Sequence, residues 1–201
     1  MTETTATTTA PALTADPRRA MAGAIRTARA VVAGVRPEDL ARPTPCSDFT
    51  VEDLLGHLLG ACRRVAAVGR GEDPLSVNTE APFEPVADWS AAYEGVAHEI
   101  QVAWTDAAAL ERTVVMPWAT MSTREMLGIY TSEVTVHTWD VAHATGQSPD
   151  WDPEVLEAAF TAMRHALPAE GREIAPFDDV VPTAADAPLV DRLVAWNGRR
   201  P

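Results

Sequence analysis

Five histidines, at positions 57, 98, 137, 143 and 165, and two cysteines, at 46 and 62, are the side chains of this 201-residue chain best suited to hold a metal or act as a nucleophile. Three of the histidines have an acidic residue four positions earlier: Asp53–His57, Glu94–His98 and Glu133–His137. On a helix that spacing sets both groups on one face, where a carboxylate and an imidazole can share a cation. In a chain with 29 acidic residues the spacing alone selects none of the three. Their position relative to the apolar face of each helix has to decide.

At 100° per residue, Glu94 and His98 fall opposite the stripe Trp89, Tyr93, Val96, Ile100 and Trp104. They are expected to form an exposed pair worth roughly 0.2–0.5 kcal/mol. Glu133 and His137 instead lie in the middle of the inward stripe Met126, Tyr130, Val134, Val141 and Ala144, with Asp140 on the same side one turn on. An ionised carboxylate among core residues is costly unless a cation compensates it. An arginine and a metal ion both meet that need. His57 sits on the flank of the stripe Val51, Leu54, Leu58, Cys62 and Val65, beside Gly56, Gly60 and Ala61. A glycine inside a helix costs about 1 kcal/mol relative to alanine, so this pair predicts close approach of a neighbour or a ligand. A metal-ligating histidine facing a gap and an interfacial histidine bonded to a carbonyl both fit there.

The remaining candidates carry less. Only the helix start at Thr50 is placed to depress the thiol pKa of Cys46, and Cys62 lies on the apolar stripe as a core residue. His143 and His165 have no evident partner. Trp118 and Trp139 are read as packing before pocket lining. GxSxG, GxGxxG and HExxH are all absent, which removes the common hydrolase and nucleotide-binding patterns.

Helices must position these groups, and their punctuation is frequent. Asp16-Pro17 predicts a helix start with an Ala-rich run to Gly34. The prolines of RPTPCSDF make a loop. Thr50 with Asp53 forms a capping box for a second helix to about Gly69, followed by a long Pro/Gly/Asn-rich connection over 69–85. A third helix is expected from about Val86 to Ala108, and ERTVVMPW (111–118) is β-prone but has no evident partner strand. Ser122 with Glu125 is a second capping box, opening a helix that Gly146 should end. Asp152-Pro153 starts a fifth helix to about Leu167, segment 168–188 is loop-rich, and a short last helix ends near Gly198. Four substantial helices with one long crossover predict an all-α four-helix bundle over 16–201, with a C-terminal tail from about 168.

Composition narrows the chemistry. All 16 positive residues are arginine, and the absence of lysine excludes Schiff-base and Walker-lysine chemistry. A net charge of −13 argues against phosphate-backbone binding, so no nucleic-acid partner is expected. Apolar residues at 46% suffice for a core, and 36 alanines favour helix. The Thr-rich opening MTETTATTTAPALTADP lacks a signal-peptide pattern, and residues 1–15 are expected to be a disordered tail. No apolar run reaches the ~18–20 residues that span a bilayer. The expectation is a cytoplasmic protein, monomer or homodimer, without a membrane partner.

The phrase TPCSDFTVEDLLGHLLG, followed some seventy residues later by SEVTVHTWDVAHATGQ, resembles the mycothiol-dependent maleylpyruvate isomerase-like branch of the DinB-like metalloenzyme superfamily. The ending VPTAADAPLVDRLVAWNGR is similar to a short subfamily of that branch, and the resemblance covers roughly residues 17–200. It implies an up-down-down-up four-helix bundle holding a divalent metal, with Zn²⁺ first and Ni²⁺ or Fe²⁺ as alternatives. Carried onto this chain, the implied ligands are His57, Glu133 and His137, with Asp140 orienting an imidazole from behind. The isomerase proper has a further C-terminal domain, whereas only a brief tail follows residue 168 here. Two imidazoles and one carboxylate leave a tetrahedral metal with an open position, the catalytic pattern. The implied activity is metal-assisted ionisation of a low-molecular-weight thiol, mycothiol, for S-transfer to a small electrophile or for its thiol-assisted isomerisation. A small metallohydrolase using metal-bound water and a non-catalytic metal-binding module are the alternatives.

Overall fold

A computed structural model describes residues 16–47, 49–117, 119–172 and 177–201. The expected N-terminal tail over 1–15 and Trp118 lie outside the described residues. The described residues fold as six α-helices and one β-hairpin: α1 (Pro17–Ala33), α2 (Val51–Arg70), α3 (Trp89–Ala103), β1 (Thr113–Met116), β2 (Ala119–Ser122), α4 (Thr123–Thr145), α5 (Pro153–Ala166) and α6 (Leu189–Trp196). Helix starts follow the capping chemistry. Asp16 accepts from the Arg18 amide at 3.0 Å, and the Thr50/Asp53 and Ser122/Glu125 boxes are both closed. α2 ends at Gly71 and α4 at Gly146, each in the left-handed conformation that glycine adopts without penalty.

Two elements depart from the sequence reading. α3 begins at Trp89, three residues later than expected, because Asp88 caps it by accepting from the Ala91 amide at 2.9 Å. It stops at Ala103, five residues early, where Trp104 turns inward and its indole N–H donates to the Val65 carbonyl at 2.9 Å. The β-prone segment is not a lone strand. Thr113–Met116 pairs antiparallel with Ala119–Ser122, a partner formed by the residues leading into α4. Val114 and Met116 face the core and Val115 faces water, the alternation a half-buried strand requires.

α2 packs against α3 and α4, and α1 against α3, α4 and α5. α2 and α3 run the same way, since Tyr93 reaches the Leu55 carbonyl and Trp104 that of Val65. α4 runs opposite to α2: His57 meets Glu133 where Arg64, seven residues further on, meets Tyr130. α1 starts at the end of α3 and finishes beside the end of α4, where the Gln147 amide donates to the Val31 carbonyl at 3.0 Å.

Met21, Leu54, Leu58, Val65, Tyr93, Met126 and Val134 belong to the main core, in which a fully buried side chain of this kind is worth about 1.5–3 kcal/mol. A second cluster of Val136, Trp139, Leu156, Phe160, Leu193 and Val194 lies on the far side of α4. The predicted inward stripe of α4 is therefore only one of its two buried faces. Thr131, Thr135 and Thr138 on this helix donate to carbonyls four residues back, so their buried hydroxyls stay paired. Trp139 is packing, tilted against His143 with ring centroids 4.9 Å apart. Among the described residues no helix is long and apolar enough to cross a membrane.

Candidate metal centre

α2 and α4 pack against each other, and three polar groups converge between them. His57 Nε2 lies 2.9 Å from Glu133 Oε1, and His137 Nε2 lies 3.4 Å from the same oxygen. The outer nitrogens are already committed. His57 Nδ1 is 2.7 Å from the Thr79 carbonyl, an oxygen that can only accept, so this nitrogen carries the proton. His137 Nδ1 is 3.0 Å from Asp140 Oδ2 and likewise donates. Two imidazole lone pairs are thereby left facing one carboxylate oxygen. Acceptors do not bind acceptors, so the arrangement requires a cation or protons between them. One atom of each of the three residues lies within 4.8 Å of the others.

The electrostatics follow from that crowding. Burial alone would raise the Glu133 carboxyl, but His137 and His57 hold it well below the usual carboxylate range. Burial would lower His137, yet Glu133 and Asp140 together push it up to about 9. Asp140 is fully buried; burial raises its carboxyl, and His137 and Arg199 outweigh that and lower it. Phe49 stacks on the His57 ring at 5.3 Å and covers one of its faces.

Arg199 arrives from the far end of the chain. A left-handed turn at Gly198 after α6 brings its guanidinium onto Asp140, with Nη2 3.0 Å from Oδ2. Cys46, in the loop before α2, places Sγ within 4.8 Å of ligand atoms of His137 and Asp140. A hydrogen-bonded series thus runs from Arg199 through Asp140 to His137, with Cys46 alongside.

The structure brings His57, Glu133 and His137 together and sets Asp140 behind His137, where the sequence placed it. Among the described residues Glu133 pairs with the two histidines and with no arginine, the alternative partner. The close approach expected at Gly56 and Gly60 is that of a neighbour. A Cβ at Gly56 would sit 2.6 Å from the Phe83 ring, and one at Gly60 would sit 2.5 Å from the Asn78 carbonyl. The space is taken by the chain's own 78–83 segment, which also supplies the Thr79 carbonyl to His57. Asp53 serves the Thr50 capping box and does not pair with His57. Glu94 and His98 are both exposed, as expected, but Glu94 is joined to Arg29 of α1 and not to His98. Cys62 is core, its thiol pushed up to about 12 by burial and by Glu133.

Sequence reasoning missed Thr79, Arg199 and the placement of Cys46. Thr79 and Cys46 sit in loops whose path no periodicity specifies. Arg199 follows a helix eight residues long, and only Gly198 hints at a turn there.

Residues 21–142 match the family model described as the mycothiol maleylpyruvate isomerase N-terminal domain. Two uncharacterized proteins of Mycobacterium tuberculosis, from strains CDC 1551 / Oshkosh and H37Rv, are each 36% identical over 175 residues, covering 85% of this chain and 90% of theirs. No solved structure matches the chain significantly.

Proposed function

The chain belongs to the mycothiol maleylpyruvate isomerase N-terminal domain family, and from that premise we propose that it is a metal-dependent enzyme that activates a low-molecular-weight thiol, mycothiol, toward a small electrophile. The observation that carries this reading is the aim of His57 Nε2 and His137 Nε2 at one oxygen of Glu133 while both Nδ1 atoms donate elsewhere. That donor set, two neutral imidazoles and a carboxylate, suits Zn²⁺ first and also Ni²⁺ or Fe²⁺. The helix directions accord with a DinB-like up-down-down-up four-helix bundle, extended at its C-terminal end by α5 and α6. Such a metal, when bound, supplies the positive charge that ionises a coordinating thiol near neutral pH.

The protein's own groups do the rest. The Thr79 carbonyl and Asp140 fix the tautomer and ring orientation of His57 and His137, so neither ligand has to reorganise. Arg199 keeps Asp140 ionised and aligned. Phe49 shields one face of His57 from water. His57, Glu133 and His137 would hold the metal, whose charge would favour the ionised form of the thiol that attacks the electrophilic carbon. In S-transfer the leaving group departs with the bonding pair. In isomerisation the adduct rotates about the former double bond and expels the thiolate unchanged.

The test combines elemental analysis of protein purified without added metal with turnover of a generic electrophile, with and without mycothiol. About one equivalent of divalent metal and thiol-dependent turnover are expected. Metal with thiol-independent hydrolysis would move the chain to the metallohydrolases, and metal with no turnover of either kind would make the centre a structural tie. Full metal content in both His57→Ala and Glu133→Gln would refute the ligand assignment.

A further inference from the structure

We propose that Arg64, with Tyr130, is the anion subsite of this centre and receives a carboxylate carried by the reacting ligand. The inference rests on the thiol-activating reading and specifies its substrate chemistry. Arg64 lies on α2 two turns beyond His57, and Tyr130 lies on α4 one turn before Glu133. The two helices run antiparallel, so this pair is the next polar layer beside the ligands. Gly60 lies between His57 and Arg64 on α2, and the Asn78 carbonyl and Thr79 pack onto it, so the same 77–79 segment touches both the histidine and the arginine. Helical side chains lean toward the N-terminus of their helix, which carries the Arg64 head back toward His57.

The pairing of Arg64 is incomplete. Nη2 donates to the Val77 carbonyl at 2.8 Å, and Nη1 makes only a long 3.4 Å contact with the Tyr130 hydroxyl. Nε is buried without a partner, and among the described residues no carboxylate lies within ion-pair distance of this guanidinium. Acidic side chains outnumber arginines 29 to 16 in this chain, and Arg18, Arg29, Arg36, Arg70 and Arg199 all take carboxylates. A half-buried guanidinium left with one carbonyl and one phenol is poorly compensated, because an uncompensated buried charge is costly. A planar fork is also the group that binds carboxylate bidentately. The Tyr130 hydroxyl is positioned to give the same carboxylate a further donor, and the Val77 carbonyl keeps the fork from swinging into solvent. The ligand that fits both ends carries its sulfur or its electrophilic carbon at the histidines and its carboxylate at Arg64.

Three probes separate the possibilities on chelator-treated and on zinc-loaded full-length protein: 3-mercaptopropionate, propane-1-thiol and propionate. Affinities are read by calorimetry, and the Arg64 Nε–H is followed by ¹H–¹⁵N NMR, assigned by its loss in Arg64→Gln. Propionate is expected to shift the Arg64 signal with or without zinc. 3-Mercaptopropionate should bind the zinc-loaded protein about tenfold more tightly than propane-1-thiol, the ratio a charge-assisted hydrogen bond supplies. Arg64→Gln should bring the two thiols within about twofold of each other, and Arg64→Lys, which keeps the charge and the fold but not the fork, should retain part of the preference. Propionate binding alongside saturating propane-1-thiol assigns the carboxylate to the electrophile, and competition between them assigns it to the thiol. An unmoved Arg64 signal, or equal weakening of both thiols in Arg64→Gln, would overturn the subsite and leave Arg64 as a brace for the 77–79 segment. Failure of zinc to bind while propionate still moves Arg64 would overturn the metal reading and leave the anion subsite standing.

Discussion

Glu94–His98 on α3 and Glu133–His137 on α4 have the same residue types at the same spacing, and the fold treats them in opposite ways. The first pair is exposed at the edge of a cavity of about 540 Å³ between α1 and α3, and its carboxylate is joined to Arg29. The second pair faces α2, and its carboxylate meets two imidazole nitrogens. The difference lies in the neighbouring helix. α1 presents arginines to α3, and Arg29 takes the carboxylate of Glu94. α2 presents His57, already oriented by the Thr79 carbonyl, so the charge on Glu133 stays available to a cation. What separates the two i,i+4 Glu–His pairs is the group that the facing helix supplies, an imidazole at Glu133 and a guanidinium at Glu94.

The sharpest way to break this comparison is the same substitution at both pairs. Glu133→Gln is expected to take metal content from about one equivalent to almost none, because a neutral amide replaces the anionic ligand. Glu94→Gln should keep all of it. Elemental analysis of the two variants beside the wild type decides the matter, and equal loss in both would refute the contrast. A weaker blow falls on the support behind the ligands. Asp140→Asn leaves His137 in place but weakens its Nδ1 partner and loosens Arg199, and metal affinity should fall by about 10- to 100-fold. Competition titration with a chromophoric chelator measures that ratio.

Much of this was legible before any coordinates. Glu133 and His137 stood out because their positions fell within an apolar stripe, where a carboxylate needs a reason to be. The helix starts were legible because Asp16, Thr50, Ser122 and Asp152 satisfy backbone donors locally, and capping chemistry is written in adjacent residues. His57 is implied as a ligand only by the family resemblance, since its flanking position suits an interfacial histidine equally well. Its true determinant, the Thr79 carbonyl, is 22 residues away across a loop with no periodic pattern. Arg199 was illegible for the same reason on a larger scale, being 59 residues from Asp140. The second buried face of α4 was hidden because threonines hydrogen-bonded to their own helix read as polar in sequence and behave as packing in the fold.

Acid–base behaviour sharpens the contrast further. In metal-free protein the His137 imidazole is raised to about 9 from an ordinary value of 6.5, because Glu133 and Asp140 outweigh its burial. A group raised on folding contributes stability that is fully present below its unfolded value and is lost as pH climbs through the folded one. Urea unfolding of chelator-treated protein should therefore show stability declining between about pH 6.5 and pH 9. His137→Gln should flatten that decline, and His98→Ala, at the exposed pair, should leave it intact. An identical slope in His137→Gln would show that another group drives it.

The smallest expected effect belongs to the pair that does not form a site. Arg29 and Glu94 keep 38% and 60% of their side-chain surface in water, so their attraction is screened and partly spent on ordering two long side chains. Glu94→Gln should lower unfolding free energy by less than about 1 kcal/mol, and raising the salt to about 1 M should erase even that. The carboxylate of Glu133, by contrast, is enclosed by groups whose alignment depends on it, so Glu133→Gln in metal-free protein should retain its stability change at the same salt concentration. If the two variants lost stability equally and with equal salt dependence, the enclosure of Glu133 would have no energetic meaning. The difference between α1 and α2 as neighbours would then reduce to a difference in who happens to be nearby.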